Sequence, residues 1–173
     1  MFNIIVAMCK KSRGIGFKDK LPFKSSKDLK RFKKITIGSG NNSVIMGSKT
    51  WLSLPFLTRP LKHRENIVLS RTKNRFDLTG KGYLLNNIEL IEEFCKKQKF
   101  DENWIIGGGE IYKKALEMGI VKKIYITEID EEYECDTFFP EIDYSYFELI
   151  SSVKDGKLTF KKFGKKIKKV NNI

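Results

Sequence analysis

Residues 104–112, WIIGGGEIY, decide the fold of this chain, because they have the pattern of a buried strand, a glycine turn and the start of a helix. The three glycines, Gly107 to Gly109, let the backbone approach a ligand without clashes from Cβ atoms. The helix that follows presents free N–H groups to a phosphate. The spacing is not that of the dinucleotide motif GxGxxG, so the stretch alone fits either a phosphate site or an ordinary tight turn.

Two further strand ends carry hydroxyl and cationic side chains. Residues 44–51, VIMGSKTW, repeat the order strand, glycine, helix, and residues 67–72, IVLSRT, end a strand in polar groups. The polar side chains at these ends are Ser48, Lys49, Thr50, Ser70 and Arg71. Three such junctions in one small domain indicate a ligand with several phosphates, such as a dinucleotide. The cations Lys49 and Arg71 favour one extra phosphate, and therefore NADPH over NADH.

Apolar runs of strand length alternate with helical patterns along the chain. The predicted strands are 3–8, 43–46, 66–69, 83–85, 103–106, 124–129, 147–153 and 158–163. The predicted helices are 27–36, one that begins near Ser48, one over 88–95 capped by Asn87, and one from the glycine triplet to about Gly119. This order predicts a single α/β domain: a mostly parallel central sheet, helices on both faces and a C-terminal antiparallel hairpin. We assign residues 1–164 to the domain and 165–173 to a basic tail.

Residues 14–36, GIGFKDKLPFKSSKDLKRFKKIT, place one carboxylate on the apolar face of a helix. At helical spacing, Asp28 lies between Phe32 and Ile35. Ser25 and Asp28 also fit a capping box, in which the acid sits at the positive end of the helix. The two interpretations are compatible, since an acid in the first turn can both cap the helix and face a pocket. The glycine-containing loop before it has the composition of a flap that closes over that pocket.

Composition limits the class of protein. The chain has 173 residues, of which 40% are hydrophobic, so it is expected to form one globular domain. Its three cysteines are odd in number and scattered, which is typical of a reducing, cytoplasmic compartment. The lone His63 lies in a basic loop, and no metal centre is expected. The apolar N-terminal run is too short to span a bilayer and lacks signal-peptide features.

A net charge of +13 has two interpretations. It indicates either attraction to polyanions such as nucleic acid or a general substitution bias towards lysine. The lysines are spread over the chain, with dense stretches at 10–34 and 157–169, and they are not interleaved with a nucleic-acid motif. We therefore favour the bias and expect no specific nucleic-acid partner.

The order of several segments carries a more specific signal. They are IVAM near the start, GIG, LP, DLKRF, VIMGSKTW, RP followed by RxNIVLS, IIGGGEIY, IYITEID and DTFFP. In this order the chain resembles the dihydrofolate reductase family over about residues 3–163. The resemblance implies NADPH-dependent reduction of 7,8-dihydrofolate to 5,6,7,8-tetrahydrofolate, with hydride to C6 and a proton to N5, in support of one-carbon metabolism. It also implies a cytoplasmic monomer that binds dihydrofolate and antifolates.

The resemblance assigns residues to the substrate. Asp28 matches the buried acid that hydrogen-bonds the pterin, Thr127 matches the threonine that hydrogen-bonds this acid, and Leu21 matches the apolar residue of the mobile loop. Phe32 matches the aromatic that packs on the pterin, and Arg64 matches the arginine that binds the glutamate α-carboxylate. The implied substrate contacts are Val6, Ala7, Met8, Asp28, Phe32, Leu54, Leu61, Arg64 and Thr127.

The resemblance also assigns residues to the cofactor. They surround the nicotinamide, the pyrophosphate and the adenosine 2′-phosphate. The implied contacts are Ala7, Ile15, Gly16, Ser48, Lys49, Thr50, Ser70, Arg71, Ile106, Gly107, Gly108, Gly109, Glu110, Ile111 and Tyr112. The chain departs from many relatives at Phe23, where they have tryptophan, and at Ser48, where a basic residue often helps to hold the 2′-phosphate.

Two rival functions stay open. One is a reductase of the same fold that acts on a pyrimidine intermediate of riboflavin synthesis, which Asp28, Phe32 and Arg64 disfavour because they fit a pterin joined to a glutamate. The other is a basic nucleic-acid-binding module, whose binding would depend steeply on salt. That module would leave Asp28 and the three phosphate junctions unexplained.

Overall fold

The computed structural model describes residues 1–72, 78 and 80–167. The strands are β1 (Phe2–Cys9), β2 (Gly14–Gly16), β3 (Ser43–Gly47), β4 (Glu65–Leu69), β5 (Tyr83–Leu85), β6 (Asn103–Gly107), β7 (Val121–Ile129), β8 (Thr137–Phe138), β9 (Phe147–Asp155) and β10 (Leu158–Lys165). The helices are α1 (Ser26–Ile37), α2 (Ser48–Ser53), α3 (Ile91–Gln98) and α4 (Gly109–Glu117). No helix in these ranges is long and apolar enough to cross a membrane.

Eight of these strands form the central sheet in the order β5-β4-β3-β6-β1-β7-β10-β9. The strands from β5 to β7 run parallel, whereas β10 pairs antiparallel with both β7 and β9. Strand β1 lies between β6 and β7 and is apolar on both faces, because both faces of the sheet are covered. The predicted fold class, an α/β domain with a mostly parallel sheet and a C-terminal antiparallel hairpin, is confirmed.

Helices pack on both faces of the sheet and make two apolar clusters. On one face, α1 and α2 bring Phe32 and Trp51 against the sheet. On the other face, α3 and α4 bury Ile91 and Ala115, neither of which is exposed at all. Helix α1 ends where the Gly38 N–H bonds the Lys34 carbonyl, with Gly38 at a positive φ of 52°. Glycine suits this end because a positive φ is strained for side chains with a Cβ atom.

Short elements differ from the sequence expectations. Strands β2 and β8 pair with each other and form a separate two-stranded sheet. They have three and two residues, too few for an alternating pattern to appear in the sequence. The helix predicted from residue 88 begins as a 3-10 turn, Ile88–Leu90, because Asn87 caps Glu89 and the α-helix proper starts at Ile91. Residues 168–173, most of the predicted basic tail, lie outside the described residues.

Candidate active site

Asp28 lies half-buried in the first turn of α1. The Asp28 N–H donates a hydrogen bond of 3.2 Å to Ser25 Oγ, so Ser25 caps the helix as the sequence predicted. The hydroxyl of Thr127 on β7 is near enough to the Asp28 carboxyl to lower its pKa. The acid therefore lies in the first turn behind a Ser25 cap, and its role in a pocket stays a prediction.

The electrostatics of Asp28 are set by opposing effects. Burial raises the pKa of this carboxyl above its ordinary value, and the Thr127 hydrogen bond and the charge of Arg31 act in the opposite direction. Tyr112 on α4 is fully buried, and burial followed by the charge of Asp28 raises its pKa. The Tyr112 hydroxyl donates to the Ile5 carbonyl at 2.8 Å, so it is committed to the backbone of β1.

Strand register brings β1 and β7 together at the site. Ala7 pairs directly with Thr127, so the two residues lie side by side in neighbouring strands. Thr127 is almost completely buried, whereas Ala7 is half-exposed. The flanking residues Val6 and Met8 are buried in the core cluster on the α3–α4 face. Of these three β1 positions, Ala7 is the one whose side chain shares the face of Thr127, and the predicted substrate contacts of Val6 and Met8 stay predictions.

Phe32, Leu54 and Leu61 pack in one apolar cluster, as expected for the walls of one channel. The guanidinium of Arg64 lies over the Phe32 ring, 5.9 Å from its centroid. Arg64 Nη1 donates to Thr36 Oγ1 at 2.9 Å, and Arg64 Nε donates to the Lys62 carbonyl at 3.0 Å. Two of the five donors of a guanidinium are thus used to orient it, and the others are available to a carboxylate.

The loop before α1 is partly anchored. Ile15 is buried, and Gly16 pairs with Thr137 of β8. Phe23 is buried, with its ring centroid 6.0 Å from that of Tyr133. Leu21 projects between these two anchored points and is 61% exposed. Its predicted role in closing over the substrate and the nicotinamide stays a prediction.

The first two glycine junctions converge at the end of the sheet. A Cβ atom built on Gly108 would lie 3.5 Å from Thr50 Oγ1, and one built on Gly47 would lie 3.3 Å from Ile111 Cγ1. The third glycine of the triplet, Gly109, approaches Thr137 of β8, with 3.0 Å between its hypothetical Cβ and Thr137 Cγ2. The glycines therefore allow two helix N-termini and the β2–β8 pair to approach one another closely.

Neither helix N-terminus at this junction has a side-chain cap. Helix α2 starts after Gly47 and helix α4 starts after Gly108, and within residues 1–72, 78 and 80–167 no side-chain cap bonds the first N–H groups of either. Uncapped N–H groups at a helix start are donors for an anion. The donor set therefore fits a pyrophosphate, and the contact of Gly107 to Ile111 with one stays a prediction.

The cationic side chains of the predicted cofactor site are exposed. The Lys49 side chain is 85% exposed and lies 3.9 Å from Asp19, as measured between Nζ and Oδ1. Arg71 is also exposed, whereas Ser70 is buried and bonds with its hydroxyl to the Thr72 carbonyl at 3.2 Å. These side chains lie on different strand ends, and their contact with an adenosine 2′-phosphate stays a prediction.

Comparison with known proteins decides the family. The model of the family described as dihydrofolate reductase matches residues 1–170. The chain belongs to the dihydrofolate reductase family. This confirms the resemblance drawn from the ordered segments, and with it the prediction of a dihydrofolate reductase enzyme.

Individual relatives support the assignment to the dihydrofolate reductase family. The dihydrofolate reductase of Gallus gallus is 41% identical over 158 residues, which cover 86% of this chain and 82% of the relative. That of Drosophila melanogaster is 39% identical over 153 residues, covering 86% and 84%. The bifunctional dihydrofolate reductase-thymidylate synthase of Daucus carota is 37% identical over 157 residues, which cover 85% of this chain and 29% of the relative.

The sequence did not point to two residues of the candidate site, Thr36 and Arg31. Thr36 is fully buried; its hydroxyl donates to the Phe32 carbonyl at 2.8 Å and accepts from Arg64. Arg31 reaches Thr127, with 3.4 Å between Nη1 and Oγ1. The available signal was helical spacing, since Arg31 lies three residues after Asp28, but the lysines around it made it look like another surface cation.

Proposed function

We propose that this protein reduces 7,8-dihydrofolate to 5,6,7,8-tetrahydrofolate with NADPH, and so supplies reduced folate to one-carbon metabolism. The observation that carries the proposal is the half-buried Asp28 carboxyl beside Thr127, on the helix that also brings Phe32 to the apolar cluster with Leu54 and Leu61. An aminopyrimidine ring presents adjacent N–H donors that match the two oxygens of one carboxylate. The family assignment supports dihydrofolate as the molecule that carries this ring.

The chain's own residues divide the work between binding and polarisation. Asp28 accepts hydrogen bonds from the 2-amino group and N3 of the pterin, and its negative charge favours protonation of N5, with water as the route of the proton. Phe32 packs on the ring system, and Leu54 and Leu61 line the path of the p-aminobenzoyl group. Arg64, already oriented by Thr36, pairs with the glutamate α-carboxylate in a two-point bond.

The nicotinamide cofactor fits the glycine junctions at the end of β3 and β6. Gly108 and Thr50 approach each other closely, and both helix starts present uncapped N–H groups, so Gly107 to Ile111 and Thr50 would hold the pyrophosphate. Lys49, Ser70 and Arg71 would hold the adenosine 2′-phosphate. Ala7, Ile15, Gly16 and Tyr112 would surround the nicotinamide. When bound, the cofactor supplies the hydride that C6 of dihydrofolate receives.

The test is the loss of NADPH absorbance when purified protein is mixed with dihydrofolate. We expect turnover that methotrexate inhibits and that Asp28→Asn largely abolishes. Replacing NADPH by NADH measures how much the extra phosphate contributes to cofactor binding and turnover. Binding of NADPH without turnover would support the cofactor site but rule out dihydrofolate as the substrate. Pyrimidine intermediates of riboflavin synthesis would then be tested.

A further inference from the structure

Arg31 is the cation of α1 that faces the sheet. Its guanidinium lies over the ring of Phe160 on β10, 4.7 Å from the centroid, and 5.9 Å from the centroid of Tyr125 on β7. The other cations of this helix are exposed: Lys27, Lys30, Lys33 and Lys34. Stacking on two aromatic rings fixes the position of a planar guanidinium far better than that of a surface lysine.

The bond between Arg31 and Thr127 has a defined direction. Arg31 Nη1 lies 3.4 Å from Thr127 Oγ1, and a guanidinium has donors but no acceptor, so the threonine oxygen must accept. A hydroxyl has one proton, and that proton is then free to be donated elsewhere. The neighbouring acid is Asp28, whose pKa the Thr127 hydroxyl lowers. Arg31 thus donates to Thr127 and leaves the Thr127 proton available to Asp28.

Arg31 also acts on Asp28 through its charge. The Arg31 charge works against the burial that raises the pKa of Asp28, and the charge of Asp28 in turn works against the burial that lowers the pKa of Arg31. Among the described residues, no ion pair within 4.0 Å joins the two side chains, so this attraction acts at longer range. This attraction lowers the pKa of Asp28, as the Thr127 hydroxyl also does.

Other charged groups near the site are engaged elsewhere. Lys162 on β10 lies over the Tyr125 ring, 5.3 Å from its centroid. Glu128 on β7 pairs with Lys161 on β10 at 2.9 Å. On α4, the Tyr112 hydroxyl is committed to a backbone carbonyl. Arg31 is therefore the cation from α1, α4, β7 and β10 that acts on Asp28.

We propose that Arg31 is a positioning residue of the active site, which fixes the Thr127 hydroxyl through its own hydrogen bond and so orients the Asp28 carboxyl towards the ligand. That the ligand is a pterin rests on the proposed function above. The effect of Arg31 on Asp28 is independent of that function, because it exists in the ligand-free protein. The consequence for catalysis is that Arg31 extends the acid side of the pH range over which the site works.

The test is an NMR titration of the Asp28 carboxyl carbon in the ligand-free protein. In Arg31→Met, which keeps an apolar stem but removes the charge and the donor, we expect the midpoint to move to higher pH. Arg31→Lys retains the charge, and we expect a smaller movement. Lys30→Met removes the same charge from the neighbouring exposed position, and we expect it to leave the midpoint in place. An unmoved midpoint in Arg31→Met would overturn the proposal.

A double-variant comparison isolates the route through Thr127. Thr127→Val removes the hydroxyl, so the movement caused by Arg31→Met should be smaller in this background than in the parent. Equal movements in both backgrounds would overturn the orienting role and leave a purely electrostatic one. If Arg31→Met fails to fold, as judged by thermal unfolding, Arg31→Gln provides the uncharged variant.

Kinetics supply the functional readout. In Arg31→Met, the acid limb of kcat/KM for dihydrofolate should move to higher pH, and the loss of rate should be larger at pH 6 than at pH 8. The affinity for NADPH should not change. If dihydrofolate is not turned over at all, the proposed function fails while the titration still decides the role of Arg31. Normal turnover with an unmoved acid limb would overturn that role alone.

Discussion

The proposed substrate half and the proposed cofactor half of the site are built by different means. In the proposed substrate half, side chains from α1, β7 and the segment before β4 contact one another: Thr127 is 1% exposed and accepts a hydrogen bond from Arg31, and Thr36 is fully buried and accepts one from Arg64. In the proposed cofactor half, backbone N–H groups and glycines would form the site, and the cation Lys49 has a side chain that is 85% exposed. Single side-chain changes should therefore have larger effects in the substrate half.

The largest expected effect comes from Asp28→Asn. Asparagine keeps the shape but cannot carry the charge that favours N5 protonation, so we expect a loss of about 10²-fold or more in the rate of hydride transfer at neutral pH. Single-turnover measurements with NADPH test this. The affinity for NADPH serves as the internal control, since it should not change. A rate close to that of the parent protein across the pH range would remove Asp28 from the chemistry.

Arg64→Ala should weaken binding more than it slows chemistry. A charge-assisted pair with the glutamate carboxylate contributes about 1.5–3 kcal/mol, so the dissociation constant for dihydrofolate should rise roughly 10- to 100-fold. Equilibrium fluorescence titration measures it. Lys62→Ala removes an exposed cation two residues away and is the matched control. Equal effects of the two changes would show that Arg64 contributes general charge only.

Gly107→Ala tests how far the cofactor half depends on backbone conformation. Gly107 has φ = 124°, and an added Cβ would lie 3.3 Å from Tyr112 Oη. This conformation is strained for alanine, so we expect a loss of about 1–3 kcal/mol in the free energy of unfolding and weaker NADPH binding. Gly119→Ala is the control, because it also has a positive φ, of 66°, but no neighbour within 4 Å. A smaller loss of unfolding free energy for Gly107→Ala than for Gly119→Ala would contradict the close approach of Gly107 to Tyr112.

Lys49→Ala should have a small effect that depends on salt. An exposed charge is screened by water and ions, so we expect the NADPH dissociation constant to rise only about two- to fivefold at low salt, and less at high salt. Lys97→Ala, an exposed cation on α3, is the control. A loss as large as that of Arg64→Ala would contradict the contrast between the two halves.

Asp28→Asn should also change stability. The pKa of Asp28 is raised in the folded state, so the unfolded chain loses this proton first as pH rises, and stability falls with increasing pH in that range. Asparagine has no proton to lose, so the variant avoids this fall in stability. We expect a higher Tm than the parent at pH 7 and an unchanged Tm at a pH below the ordinary aspartate pKa. Calorimetry at both pH values tests this. A lower Tm at pH 7 would show that the carboxylate stabilises the free protein.

The sequence by itself determined the fold class, the family and the order in which the strands and helices follow one another along the chain. The family follows from the order of segments along the whole chain. The elements and the fold class follow from local patterns: continuous apolar runs for β1 and β6, a Ser25 cap for α1, and glycines at the strand ends. Each pattern is read within a few residues, so it does not depend on distant contacts. The elements without such a pattern, the short β2 and β8, appear only when the chain folds and brings them together.

The tertiary structure decided which side chains act on one another. Arg31 and Thr127 are 96 residues apart, and their bond depends on the packing of α1 across β7 and β10. The bond between Thr36 and Arg64 depends likewise on α1 reaching the segment before β4. Local sequence periodicity gives the face of a helix but not what that face meets, because the partner comes from strand register and packing. The resemblance in the sequence therefore assigned the acid and Thr127, whereas the contact of Arg31 with Thr127 could not be predicted from it.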